Sequence, residues 1–194
     1  KPIVGYYKDH KIISMGPPSS GGIALVQLLK GIEKYNIKNY GFNSLKAINL
    51  MAEHESRVYA DRATHLGDPD FYKVPIEKLI NSNYLENKFK NINPLKKTPS
   101  NEIKEGSITY NESNETTHFS IVDKFGNAVS ITTTLNGSYG SKVVVDGAGF
   151  LLNNEMDDFS VKPGFPNMFG LIGGKANSIE PGKRMLSSMT PTII

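Results

Sequence analysis

The chain changes character once along its length, and that change constrains the fold more than any other feature. From about residue 23 to residue 90 the apolar residues recur at helical spacing, while from residue 118 onward Val, Ile, Thr and Phe gather in short strand-like runs. The stretch between them, residues 91–115, is rich in Asn, Lys, Ser, Glu and Pro. It has few apolar side chains and no sustained period, as expected of an exposed, mobile connection. Helices first and strands later predict an α+β or layered architecture. The 194 residues, 38% of them hydrophobic, suffice for one substantial core.

Within this frame the local signals are specific. Ile3 and Val4, a Lys8-Asp9-His10-Lys11 turn, and then Ile12, Ile13 and Met15 predict a β-hairpin. A Gly/Pro/Ser loop at residues 16–22 leads into a helix whose expected buried face is Leu25, Leu28, Leu29 and Ile32. Ser44 is the expected N-cap of a second helix with Leu45, Ile48, Ala52 and Tyr59 along one side. The Gly67-Asp68-Pro69-Asp70 sequence ends that region in a turn, and short helical pieces are expected over residues 75–90. Residues 118–123 and 128–135 read as two strands joined by Lys124-Phe125-Gly126-Asn127, and residues 149–152 as a further strand.

Much chemistry is excluded at once. Cysteine is absent, which removes disulfides, thiolate metal sites and cysteine nucleophiles. No run of 18 or more apolar residues predicts a membrane span, and residues 1–15 lack the apolar stretch of an export signal. The chain begins without Met and stops on a strand-like Thr-Pro-Thr-Ile-Ile, so a segment of a longer protein is expected. The net charge of +3 comes from scattered lysines such as Lys88, Lys90, Lys96 and Lys97, not from a continuous basic face, so nucleic-acid binding is not expected. His54 and His65 are too far apart for a helical metal pair, and the histidines are expected at the surface or as caps. Gly137-Ser138-Tyr139-Gly140-Ser141 is not a nucleophile elbow, and Gly173-Gly174-Lys175-Ala176 lacks the Ser/Thr of a phosphate loop.

What remains is the junction where the polar connection ends in Asn114-Glu115 and Thr116-Thr117-His118 opens a strand. A threonine hydroxyl is a poor nucleophile until a base takes its proton. Cleavage of the chain just before the threonine would free an α-amine on the same residue. That amine titrates near ~7.7–8.0, close to the working pH a general base needs. Taken alone, a Thr-Thr pair at a strand start is ordinarily explained by β propensity.

Four segments carry a resemblance to a known family: Thr116-Thr117-His118-Phe119-Ser120, Gly126-Asn127-Ala128-Val129-Ser130, the run from Leu151-Leu152-Asn153-Asn154 through Glu155-Met156-Asp157-Asp158-Phe159, and Lys183-Arg184-Met185-Leu186-Ser187-Ser188-Met189-Thr190. With Pro17-Pro18-Ser19-Ser20-Gly21-Gly22, Tyr59-Ala60-Asp61-Arg62 and Leu66-Gly67-Asp68-Pro69 upstream, they closely resemble the bacterial γ-glutamyltranspeptidases (glutathione hydrolases) over essentially the whole chain.

The resemblance implies the N-terminal nucleophile hydrolase fold, a four-layer αββα sandwich. It implies a precursor that cuts itself between Glu115 and Thr116. Residues 1–115 would then be the C-terminal part of a large subunit, with its connection at about 91–115, and residues 116–194 the start of the small, catalytic one. Thr116 would be nucleophile and, through its amine, base; Thr134 would hydrogen-bond it. Asn136, Glu155 and Asp158 would hold the ammonium of a γ-glutamyl substrate, and Ser187 and Ser188 would donate to its carboxylate. Without the resemblance, Asn136 reads as a turn cap and Ser187-Ser188 as loop serines.

Glutathione and other γ-glutamyl compounds are the implied donors, with water, amino acids or dipeptides as acceptors, paired subunits after cleavage, no metal or organic cofactor, and a periplasmic or secreted location. Phe169 stands where well-known members carry a tyrosine in the loop over the site, so gating or acceptor preference is expected to differ. The family's oxyanion glycine pair would lie past Ile194 and its substrate-gripping arginine before Lys1, so these residues alone are expected to be poorly active. The alternatives are a relative acting on poly-γ-glutamate or an acylated β-lactam, and a non-catalytic module that keeps the fold.

Overall fold

The computed structural model describes residues 1–103 and 116–194, and combines helices with two antiparallel sheets. Strands β1 (Ile3–Tyr7) and β2 (His10–Ser14) form the expected hairpin, with Lys8 in the left-handed region at φ 50°. Strand β5 (Thr192–Ile193) adds to β2, giving a three-stranded sheet in the order β1-β2-β5. Strands β3 (Thr116–Val122) and β4 (Ala128–Thr134) form the second hairpin, close to the strands expected over residues 118–123 and 128–135. Ser130 Oγ, on β4, accepts from the Thr192 N–H at 3.2 Å and so ties that hairpin to β5.

Helix α1 (Gly21–Ile32) packs on β1 and against α2 (Leu45–His65). The Ser44 hydroxyl caps α2 by accepting from Ala47 N, as expected. Short helices α3 (Ile76–Leu79) and α4 (Ser82–Phe89) follow the Asp68 turn and fill the stretch where helical pieces were expected. One apolar cluster gathers Ile3, Ile23, Val26, Leu66, Leu79 and Leu186; a second gathers Leu50, Val58, Leu85, Phe89 and Ile92.

Both long helices turn a different face inward from the one their leucines suggested. In α1 the deepest residues are Ile23, Val26, Gln27 and Gly31, while Leu25, Leu28, Leu29 and Ile32 are only half-buried. Gln27 is tolerated there because its amide donates to Asp61 Oδ2 at 3.0 Å and to the Leu79 carbonyl at 2.9 Å. In α2, Leu45, Ile48 and Ala52 face outward and Tyr59 is half-buried. The inner face is Ala47, Leu50, Glu53, His54, Arg57, Val58 and Asp61.

Pairing explains that polar inner face, because a buried charge is tolerated only with a partner. Arg57 bonds Glu53 at 2.8 Å, and Lys88 and the Tyr84 hydroxyl both donate to Asp61 Oδ1. His54 is not a surface residue: it is fully buried between Tyr35 and Phe89, with Nδ1 2.8 Å from the Leu50 carbonyl.

Two further expectations change. The start of the polar connection is docked, not mobile: Ile92 is buried, and Thr98 donates its N–H to Glu53 Oε1 at 2.7 Å. Residues 149–152 form no strand, only an isolated bridge between Val144 and Leu151. Glycines 147 and 149, at φ 73°, turn the backbone out of the extended region there.

Candidate active site

The β3–β4 register sets Thr116 directly across from Thr134, His118 across from Thr132, and Ser120 across from Ser130. Because side chains alternate along a strand, these six occupy one polar face of the hairpin. Phe119, Ile121, Val129 and Ile131 occupy the other face and are exposed. Thr116 is solvent-accessible at the strand start. Glu115, the other side of the expected cut, lies outside the described residues, as does the connection from residue 104 onward.

Beyond Thr134 the chain turns sharply. Asn136 adopts φ 72°, a conformation asparagine tolerates better than most residues, and is 8% exposed. Its N–H donates to Thr134 Oγ1 at 3.0 Å and its side-chain amide to the Asn154 carbonyl at 3.3 Å. Asn154 returns the contact through Oδ1, which accepts from Gly137 N at 2.8 Å. The second threonine, Asn136 and the segment holding Glu155 are therefore one connected unit.

Glu155 and Asp158 bound a 3-10 turn, Glu155–Asp158. Burial pushes both carboxyls up, Asp158 to about 6, where Arg62 pulls it back and Glu155 and Asp157 push it further. Asn177 joins this turn to the serine segment: its amide donates to the Asp158 carbonyl at 2.7 Å and its Oδ1 accepts from Leu186 N at 2.9 Å.

Ser187 is held by the loop before α1. Ser187 N donates to the Pro18 carbonyl at 3.1 Å, and the Ser187 carbonyl accepts from Ser20 N and Ser20 Oγ, each at 2.8 Å. Ser19 Oγ donates to the Met189 carbonyl at 2.6 Å. Ser188 is exposed, and its oxygen accepts from Arg62 Nη2 at 3.0 Å. Phe169 is half-buried in a loop fastened to the acidic turn, since Met168 N donates to Asp157 Oδ2 at 2.9 Å and Asn167 Nδ2 to the Asp157 carbonyl at 3.3 Å.

Chemically the set combines carboxylates able to accept, serine hydroxyls able to donate or accept, and two threonine hydroxyls on the adjoining sheet. Sequence reading named these residues but gave no role to Arg62, Asn154 or Asn177. Arg62 lay inside a quoted motif, but its partners Ser20 and Ser188 are 42 and 126 residues away, which no local pattern reveals. Among the described residues, no group of three or more His, Asp or Glu is arranged to hold a metal ion.

Comparison with known proteins places the chain in a family. The γ-glutamyltranspeptidase family model matches residues 1–194, and the chain belongs to that family. It is 52% identical over 193 residues to the glutathione hydrolase proenzyme of Escherichia coli K12, covering 100% of this chain and 33% of that protein. The crystal structure of Helicobacter pylori γ-glutamyltranspeptidase matches with a TM-score of 0.52 at 46% identity, over 55% of this chain and 30% of that one. A cephalosporin acylase structure from Bacillus halodurans matches in fold, with a TM-score of 0.73 at 22% identity over 99% of this chain and 31% of that one. The chain thus spans about a third of the length of the curated relatives it matches.

Proposed function

We propose that this chain is the central piece of a self-processing γ-glutamyltransferase and glutathione hydrolase. Cleavage before Thr116 frees its amine, which takes the hydroxyl proton as Oγ attacks the γ-amide carbonyl of glutathione or a related γ-glutamyl compound. A γ-glutamyl ester forms on Thr116 and the amine of the leaving group departs with the proton. Water then releases glutamate, or the amine of an amino acid or dipeptide takes the acyl group. Thr134 hydrogen-bonds the nucleophile. Asn136, Glu155 and Asp158 supply acceptors for the substrate ammonium, Ser187 and Ser188 supply donors for its carboxylate, and Phe169 covers the site.

The observation that carries this reading is the register of Thr116 against Thr134, with Thr134 Oγ1 bonded in turn to Asn136 N. It gives the proposed nucleophile a hydroxyl neighbour on the adjoining strand and links that neighbour to the proposed ammonium site. Residues 1–115 belong to the large subunit and 116–194 to the small one, and the two stay paired after the cut. The architecture is one part of a four-layer αββα sandwich. In support, the exposed Phe119, Ile121, Val129 and Ile131 make an apolar sheet face of the kind a further layer covers. The family resemblance favours a periplasmic or secreted location; among the described residues no helix is long and apolar enough to cross a membrane.

The test is covalent labelling of the full-length protein with a γ-glutamyl-mimicking electrophile, followed by peptide mapping. The adduct is expected on Thr116 alone and is absent from Thr116→Ala. Labelling elsewhere, or turnover surviving in Thr116→Ala, contradicts the assignment.

A further inference from the structure

Arg62 sits on α2, in the part of the chain before the proposed cut, yet its guanidinium spans two groups of the site. Nε donates to Ser20 Oγ at 3.1 Å and Nη2 donates to Ser188 Oγ at 3.0 Å. An arginine side chain has only donors, so each serine oxygen it touches must act as acceptor. Ser20 then sends its single proton to the Ser187 carbonyl at 2.8 Å; the Ser188 oxygen, at 3.5 Å, is too far to compete. The Ser188 proton has no claim from Arg62 or Ser20 and must be donated elsewhere.

We propose that Arg62 is a positioning residue that fixes the polarity of the Ser188 hydroxyl, so that Ser188 presents its proton, and not its lone pairs, to the substrate's α-carboxylate. This rests on the reading of Ser188 as a carboxylate donor and extends it to a residue on the other side of the cut. A carboxylate only accepts, so a serine free to rotate would offer the wrong face part of the time. The guanidinium fixes the hydroxyl before substrate arrives. It also stands near Asp158: burial raises that carboxyl, and Arg62 draws it back toward the charged form.

The experiment uses the full-length protein and a double-substitution cycle between Arg62→Met and Ser188→Ala, with Arg62→Lys as the conservative variant. Self-cleavage and covalent labelling at Thr116 are checked in each. Arg62→Met is expected to raise KM for a γ-glutamyl substrate about tenfold with kcat within about threefold. Measured at a pH well above about 6, where Asp158 is ionised, it is expected to add almost nothing in the Ser188→Ala background, because Arg62 then acts through that hydroxyl. Arg62→Lys is expected to recover part of the loss. An unchanged KM in Arg62→Met, or effects that simply add in the double variant, overturns the proposal. Should the unsubstituted protein neither cut nor label at Thr116, the underlying functional reading fails instead, and the two failures are told apart by that control.

Discussion

Arg184 grips both carboxylate oxygens of Asp68 across 116 residues of sequence, Nε on Oδ2 at 2.9 Å and Nη2 on Oδ1 at 2.6 Å, while its own backbone N–H adds a third bond at 2.8 Å. The Asp68 side chain is 1% exposed and the Arg184 side chain 51%, so the charge that would be stranded by breaking the pair is the carboxylate. Asp68 ends the α2 region of the proposed large segment, and Arg184 lies three residues before Ser187 in the small one. This bidentate clasp spans the proposed cut and sets the approach of the serine segment.

Its loss has a calculable sign. The hydrogen bonds from Arg184 hold the Asp68 carboxyl down at about 2, against an ordinary value of 3.8. A carboxyl depressed in the folded state contributes stability that is full above its unfolded pKa and is lost as pH falls through the folded one. Asp68→Asn is therefore expected to destabilise the protein by about 1–3 kcal/mol at neutral pH. The deficit should shrink between about pH 4 and pH 2, as measured by urea unfolding of both proteins. A deficit that does not change with pH contradicts the clasp.

Asp158 gives the second prediction. Burial lifts its carboxyl to about 6, with Arg62 opposing and Glu155 and Asp157 reinforcing the rise. In its proposed role only the ionised form pairs with a substrate ammonium, so kcat/KM of the full-length protein is expected to rise with pH up to about 6 and level off above it. Asp158→Asn should remove that limb and lower kcat/KM by on the order of 10²-fold. Retention of the acid limb in Asp158→Asn assigns it to another group.

Packing at Gly31 gives the third. Alanine in a helix is ordinarily favoured over glycine by about 1 kcal/mol. At Gly31, however, an added methyl would run into the His54 ring and Phe89. Both partners are fully buried and have nowhere to move. Overpacking of this kind costs about 1–3 kcal/mol, so Gly31→Ala should be net destabilising in thermal unfolding. A rise in melting temperature would show that the His54 pocket yields more than its packing suggests.

The hairpins and the α2 cap were legible because their signals are local: Thr116 to Val122 and Ala128 to Thr134 are rich in Val, Ile, Thr and Phe, and Ser44 stands one residue before its helix. The inward faces of α1 and α2 were not, because leucine spacing competes with buried polar pairs. Glu53 with Arg57 and Asp61 with Lys88 decide which side of α2 turns in, and Lys88 lies on another helix. His54 was misjudged for the same reason, since its burial depends on Tyr35 and Phe89 lying on either side. The site residues were named through family resemblance; chemistry alone left Asn136 and Ser187 as ordinary loop residues. Arg62 and Asn177 escaped notice because their importance lies in long-range partners.

The central claim is that the chain cuts itself before Thr116 and uses that threonine as nucleophile. The most direct measurement is the intact mass of the purified full-length protein after incubation at neutral pH, with sequencing of any new terminus, beside Thr116→Ala. The account predicts two fragments, the smaller beginning at Thr116-Thr117-His118, and a single uncut chain for Thr116→Ala. A full-length protein that turns over γ-glutamyl substrates while remaining uncut, or cut at another bond, would contradict it.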